Sequence, residues 1–169
     1  MPATPLPSKI GIILFPGFQL LDAAGPLDAF HLLSLQHTLH LSILAASMDP
    51  IPTQNWAQTE RGSNFSPSLM PTHTFANAPS DLDMVLLPGG LGARGPQGEQ
   101  NTGPVVEFLK TLDLSGNGSI KWFLTVCTGS EILARTGLLD GREATTNKKA
   151  FNEVSLLSRI PVDHTTGIC

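Results

Sequence analysis

An α/β fold with a mainly parallel sheet is predicted by three features of this 169-residue sequence. Short apolar, β-rich runs at Ile10 to Phe15, Leu39 to Ala45, Asp83 to Leu87 and Ile120 to Val126 read as strands. Segments of helical patterning alternate with them, which is the order of a parallel sheet. Two of the runs stop at Pro16-Gly17 and Pro88-Gly89-Gly90, as strands buried on both faces do. A hydrophobic share of 41%, with 14% charged residues and a mean hydropathy of +0.09, places the chain among globular proteins of one domain, because disorder needs low hydrophobicity and high net charge.

Taken in order, residues 1–8 form a Pro-rich, flexible leader, and the domain is expected over 9–157. Ile10 to Phe15 reads as the first and central strand. Asp22-Ala23-Ala24-Gly25-Pro26 reads as a helix entry, with Pro26 early in the helix and Leu27, Phe30, Leu33 and Leu35 as its apolar stripe. Leu39 to Ala45 returns as a strand. From Pro50 to Pro79 the apolar residues are too scattered for a long helix, so short strands and loops are expected. Asp83 to Leu87 is the next buried strand, and Gly103-Pro104 opens a helix carrying Val105, Val106, Phe108, Leu109 and Leu112. After a turn-rich break at Asp113 to Ser119 come the strand Ile120 to Val126 and a helix from Gly129 to Thr136 stopped by Gly137. Lys148 to Leu157 is expected as a final helix, and 158–169 as an irregular tail.

Charge and cysteine usage exclude several classes of function. Ten Lys+Arg against 14 Asp+Glu give a net charge of -4 without a block of like charges, and a nucleic-acid partner needs a basic face. Cys127 and Cys169 cannot form a disulfide framework, and Met1-Pro2-Ala3-Thr4-Pro5 lacks the basic start of a secretion signal, so a cytoplasmic protein is expected. Wholly apolar stretches such as Ile12 to Phe15 and Met84 to Leu87 fall far short of the roughly 20 residues of a membrane span.

The sharpest chemical feature is Cys127, which ends Lys121-Trp122-Phe123-Leu124-Thr125-Val126 and precedes Thr128-Gly129-Ser130-Glu131 at a helix start. A thiol on such a strand-turn-helix corner stands at the carboxyl edge of the sheet, where the helix N-terminus favours the thiolate. Nucleophile elbows share this arrangement, although Thr125 stands two residues before the cysteine where they have glycine. From position alone, a buried structural cysteine is the commoner case. Asp22 lies in the loop after the first strand, at the same sheet edge, where a carboxyl group can exchange protons with substrate; alone, it is more often a helix N-terminal residue.

The loop Pro88-Gly89-Gly90-Leu91-Gly92 can aim bare backbone N–H groups at an oxyanion, though a plain glycine-rich loop is the simpler reading. Gly90-Leu91-Gly92-Ala93-Arg94-Gly95 also spells G-x-G-x-x-G, but Pro96, Gly98 and Gly103-Pro104 delay the helix a dinucleotide would need. The five histidines offer no convergent metal site: His37 and His40 lack Cys or carboxylate partners, and His164-Thr165-Thr166 lacks the His-x-Glu of an amidotransferase triad.

Together these pieces resemble one family. Ile12-Ile13-Leu14-Phe15-Pro16-Gly17-Phe18, Leu21-Asp22-Ala23-Ala24-Gly25-Pro26, Leu87-Pro88-Gly89-Gly90, Val126-Cys127-Thr128-Gly129-Ser130 and Gly137-Leu138-Leu139-Asp140-Gly141-Arg142-Glu143-Ala144-Thr145-Thr146 resemble, in this order and spacing, the ThiJ/PfpI superfamily of class I glutamine amidotransferase-like fold, in its isocyanide hydratase-like branch. The resemblance runs from about Lys9 to Asn152. It implies a flavodoxin-like three-layer sandwich, a Cys127 nucleophile with Asp22 as its acidic partner, and a substrate pocket at Gly89, Gly90, Leu91 and Thr128. It further implies no metal or organic cofactor, a small-molecule substrate and a homodimer. The implied reaction adds water to an isocyanide to give an N-substituted formamide.

Cys127-Thr128-Gly129 differs from the Cys-His-Gly of protease-like members, which disfavours peptidase activity. Asn147-Lys148 departs from the His-Trp of bacterial hydratase-like members, and the chain stops at Cys169 where members continue, so late strands and helices are expected to be missing. Two alternatives stay open: a glyoxalase- or deglycase-like enzyme acting on 2-oxoaldehydes, and a non-catalytic redox or stress-response protein with Cys127 as an oxidisable sensor.

Overall fold

The structure, a computed structural model, describes residues 6–114, 118–140 and 144–152. Five strands form the main sheet: β1 (Lys9–Ile13), β2 (His40–Ala45), β5 (His73–Thr74), β6 (Met84–Leu87) and β7 (Trp122–Thr125), in the order β5-β2-β1-β6-β7. Every pairing is parallel, with Ile12 opposite Ile43 on one side and Leu86 on the other. β1 is central, as its unbroken apolar run predicts. β3 (Ile51–Pro52) and β4 (Ser68–Leu69) pair antiparallel in a separate small sheet.

The core lies where the continuous apolar runs predict. All four residues of β6 are buried, and Ile12, Ile13, Leu14, Phe15 and Phe18 follow one another into the interior beside Leu44 and Ala45. Asp83 fixes the sheet's entry edge: its carboxylate accepts from the Ser8 and Lys9 amides at 2.9 to 3.1 Å, tying the start of β1 to that of β6. β7 differs from β6, since Trp122 and Leu124 are each more than two-fifths exposed. Among the described residues no strand covers its outer side.

Helices α1 (Leu20–Ser34) and α3 (Gly98–Lys110) begin earlier than the sequence suggests. Pro26 and Pro104 were expected at helix entries, yet each is the seventh residue of its helix. Proline is sterically at home in the first turn and costs about 3 kcal/mol in the interior. Tertiary burial outweighs that cost: Ala23 in α1, and Gly98 and Thr102 in α3, all N-terminal to the prolines, are buried. The stripe of α1 is corrected as well, because Leu27 and Phe30 pack on the core whereas Leu33 and Leu35 face solvent.

A short helix, α2 (Trp56–Glu60), interrupts the segment expected to hold only strands and loops. Its cause is a capping box: Asn55 Oδ1 accepts from the Ala57 and Gln58 amides while Gln58 Oε1 accepts from the Asn55 amide. α4 (Gly129–Ala134) follows β7 as expected, and Gly137 takes φ 78° beyond its end. Of the expected helix Lys148 to Leu157, residues 148–152 are turn and helix and the remainder lies outside the described residues, as do His164, Cys169 and the expected tail. No helix among the described residues is long and apolar enough to cross a membrane.

Candidate active site

Strand order decides where side chains converge. The chain leaves β1 toward β2 on one side, and leaves β6 toward β7 on the other. Right-handed crossovers in opposite directions send α1 and α3 to opposite faces, leaving a crevice at the carboxyl ends of β1 and β6. The loop into α1, the glycine loop after β6 and the turn after β7 meet there.

Cys127 is the one non-glycine residue among those described with positive φ, at 54°. Its turn is fixed from both sides. The Val126 amide donates to Leu87 O at 3.0 Å, and the Gly129 amide to Val126 O at 2.9 Å. A side chain at Gly129 would stand 2.3 Å from Leu87 O, so glycine is required for α4 to start this close to β6. The thiol is thereby left partly buried at the sheet edge.

Asp22 sits in the first turn of α1 and reaches the same point. Its Oδ2 accepts from the Gly89 amide at 3.2 Å, and its carboxyl group stands close enough to the Cys127 thiol for the thiol to favour the carboxylate. Burial pushes this carboxyl above the usual aspartate range, against the opposing pull of the Gly89 amide and the Cys127 thiol. Asn147 Nδ2 donates to Cys127 Sγ at 3.3 Å.

The four residues expected in a substrate pocket are held in different ways. The Gly89 amide is engaged by Asp22, and the Gly90 amide donates to Thr128 Oγ1 at 3.2 Å. Thr128 is buried, and among the described residues its own amide has no acceptor. Leu91 opens a short 3-10 turn and is about half exposed. The loop is locked to β1's exit by the Gly92 amide, which donates to Gly17 O at 2.9 Å, and only short 3-10 turns separate Gly90 from the α-helix that begins at Gly98, so the dinucleotide pattern lacks a helix opening within it.

Several framing residues escape sequence reasoning. Arg94 Nε and Nη2 donate to Glu131 Oε2 at 3.1 and 2.9 Å, tying the loop to α4. Ser130 Oγ donates to Thr146 Oγ1 at 2.7 Å between two buried side chains. A polar pair within a segment of no periodicity leaves no sequence signal. Among the described residues no three His, Cys, Asp or Glu side chains converge as metal ligands.

The DJ-1/PfpI family pattern matches residues 8–164. The chain is 32% identical over 156 residues to an isonitrile hydratase of Pseudomonas putida, covering 91% of this chain and 58% of that protein. A solved THiJ/PfpI family protein from Pseudomonas syringae superimposes with a TM-score of 0.68 at 25% identity, over 96% of this chain and 59% of the other. The chain therefore spans about three-fifths of the length of both. An AraC family transcriptional regulator from Pseudomonas putida shares the fold, with a TM-score of 0.69 at 18% identity over 96% of this chain and 80% of that one.

The raised affinity of Asp22 for its proton carries a pH signature. Stability from the protonated native carboxyl is fully present below the ordinary aspartate value of about 3.9 and is lost as pH rises through the higher folded value. Replacing Asp22 by Asn removes the cost of the buried charge. Thermal unfolding is therefore expected to show Asp22→Asn at least as stable as the parent at neutral pH, with the difference shifting toward the parent on acidification. A difference that moves in the variant's favour on acidification would contradict this origin of the shift.

Proposed function

The chain belongs to the DJ-1/PfpI family, and on that premise we propose that it is a cofactor-independent cysteine enzyme that hydrates isocyanides to N-substituted formamides. The observation carrying the proposal is the Cys127 thiol on a left-handed turn, beside the Asp22 carboxyl group that the Gly89 amide holds at the same sheet edge and whose proton affinity burial raises. Likeness to the isonitrile hydratase of Pseudomonas putida supports the substrate class.

The chemistry follows from the carboxyl group of Asp22 beside the Cys127 thiol. Asp22 accepts the thiol proton, and the thiolate adds to the terminal isocyanide carbon, forming a C–S bond. Protonated Asp22 then delivers that proton to the same carbon, giving a thioimidate, R–N=CH–S–Cys127. Water adds across the C=N bond with Asp22 assisting its deprotonation, the nitrogen gains a proton, and the C–S bond breaks. The formamide leaves with water's oxygen and the thiol is restored. Of the proposed pocket residues Gly89, Gly90, Leu91 and Thr128, the Gly89 and Gly90 amides are engaged, and among the described residues the Leu91 and Thr128 amides are the donors left to meet developing negative charge.

A homodimer belongs to the same proposal. Leu21 and Leu32 on α1 and Leu35 at its C-cap are all exposed on one side of the helix, beginning one residue from Asp22. A solvent-facing apolar stripe of this kind suits burial against a second copy. Light scattering of the 169-residue chain is expected to give twice the monomer mass. A monodisperse monomer would remove the dimer from the proposal.

Purified protein is expected to release formamide from an alkyl or aryl isocyanide. Cys127→Ser should abolish turnover with the fold retained, and Asp22→Asn should lower the rate about 100-fold or more. Lactate from methylglyoxal without formamide from an isocyanide would reassign the substrate to 2-oxoaldehydes. Unchanged turnover in Cys127→Ser would refute the nucleophile.

A further inference from the structure

We propose that Asn147 is a neutral hydrogen-bond donor to the Cys127 thiolate, delivered to the sulfur by the buried Ser130–Thr146 hydrogen bond. The inference rests on the reading of Cys127 as the nucleophile. Its basis is the arrangement of both ends of one amide: Asn147 Oδ1 accepts from the Lys149 amide at 3.0 Å while Nδ2 faces Sγ at 3.3 Å. Turning the amide over would place an oxygen against the sulfur and break the bond to Lys149. The side chain is thus locked with its donor toward the reacting atom.

The lock is anchored on the nucleophile's own helix. Ser130 Oγ bonds Thr146 Oγ1 at 2.7 Å and Cys127 O at 3.4 Å, so the residue preceding Asn147 is held by the residue three after the cysteine. Both hydroxyl-bearing residues are buried, which raises the cost of leaving either unpaired. α4 has six residues, and the Asn147 amide adds a directed side-chain donor to whatever its N-terminal end supplies at the sulfur.

The charge environment makes the role specific. Asp22 is the titratable group in contact with the sulfur, from α1. On α4, Glu131 is engaged by Arg94 from the glycine loop, and Lys148 and Lys149 beside Asn147 are exposed. Asn147 itself neither gains nor loses a proton. It strengthens its bond as the sulfur becomes negative, because hydrogen bonds to charged groups exceed those between neutral ones. Asp22 is thereby left as the proton carrier of the cycle.

The test reads sulfur reactivity rather than turnover, and uses the full chain with Cys169→Ser so that one thiol reports. Iodoacetamide alkylation of Cys127 is followed between about pH 5 and pH 10, a range spanning the free-thiol value. At neutral pH the rate is expected to fall roughly 10-fold in Asn147→Ala and further in Asn147→Asp, with all three proteins converging at high pH. Asn147→Asp is nearly isosteric and keeps an acceptor for Lys149, so it maintains the segment while placing a negative charge on the sulfur; circular dichroism confirms folding. Coincident profiles for the three proteins, or an Asn147→Asp profile matching the parent's, would overturn the assignment. The expected order of rates without formamide formation from isocyanides would leave Asn147 in this role and reject the hydratase reading alone.

Discussion

The site depends on one backbone constraint, the left-handed conformation of Cys127 at φ 54°. A non-glycine residue held there costs about 1–2 kcal/mol and persists where surrounding structure over-determines it. Here the surroundings are the parallel register of β6 and β7, the Val126 amide on Leu87 O, and a glycine at 129 that lets α4 begin against the end of β6. If the chain turned at 127 in any ordinary conformation, the thiol would leave the sheet edge and lose both of its side-chain partners. Local strain thus decides the direction of one bond, Cα–Cβ of Cys127, and the site follows from it.

Parallel topology does the rest. Because successive crossovers part at β1 and β6, the loops after those strands and after β7 share one edge without covering it. Asp22 arrives on α1, the glycine loop on β6, and Asn147 from beyond α4. The resulting charge balance is economical in proton-bearing groups: a carboxyl whose burial favours its protonated form, a thiol, and a neutral amide. The neighbouring carboxylate of Glu131 is engaged by the Arg94 guanidinium.

Much of this was legible in the sequence, for a physical reason. Strands buried on both faces must be apolar without interruption, so Ile10 to Phe15 and Asp83 to Leu87 announce themselves and place Asp22 and the Gly89-Gly90 loop at one edge, where the run Ile120 to Val126 also brings Cys127. The helix starts were misplaced because Pro26 and Pro104 satisfy an entry rule that burial of the preceding turns overrides. α2 had a readable Asn55-x-x-Gln58 cap but too little apolar content to draw notice. Asn147 was visible as a departure from the family pattern, yet its contact spans 20 positions and depends on the Ser130–Thr146 pair. Nothing in local propensity encodes such a meeting of side chains.

Strain at Cys127 is tested most directly by the pair Cys127→Gly and Cys127→Ala, compared by equilibrium denaturant unfolding. In ordinary helix or strand positions glycine is less stable than alanine by about 0.5–1 kcal/mol, through the entropy of the unfolded chain. At a left-handed position the order reverses, because alanine retains the Cβ that causes the strain. The account predicts Cys127→Gly to be more stable than Cys127→Ala by about 1 kcal/mol. Alanine equal to or more stable than glycine would show that residue 127 is not held in that conformation, and the elbow would fall with it.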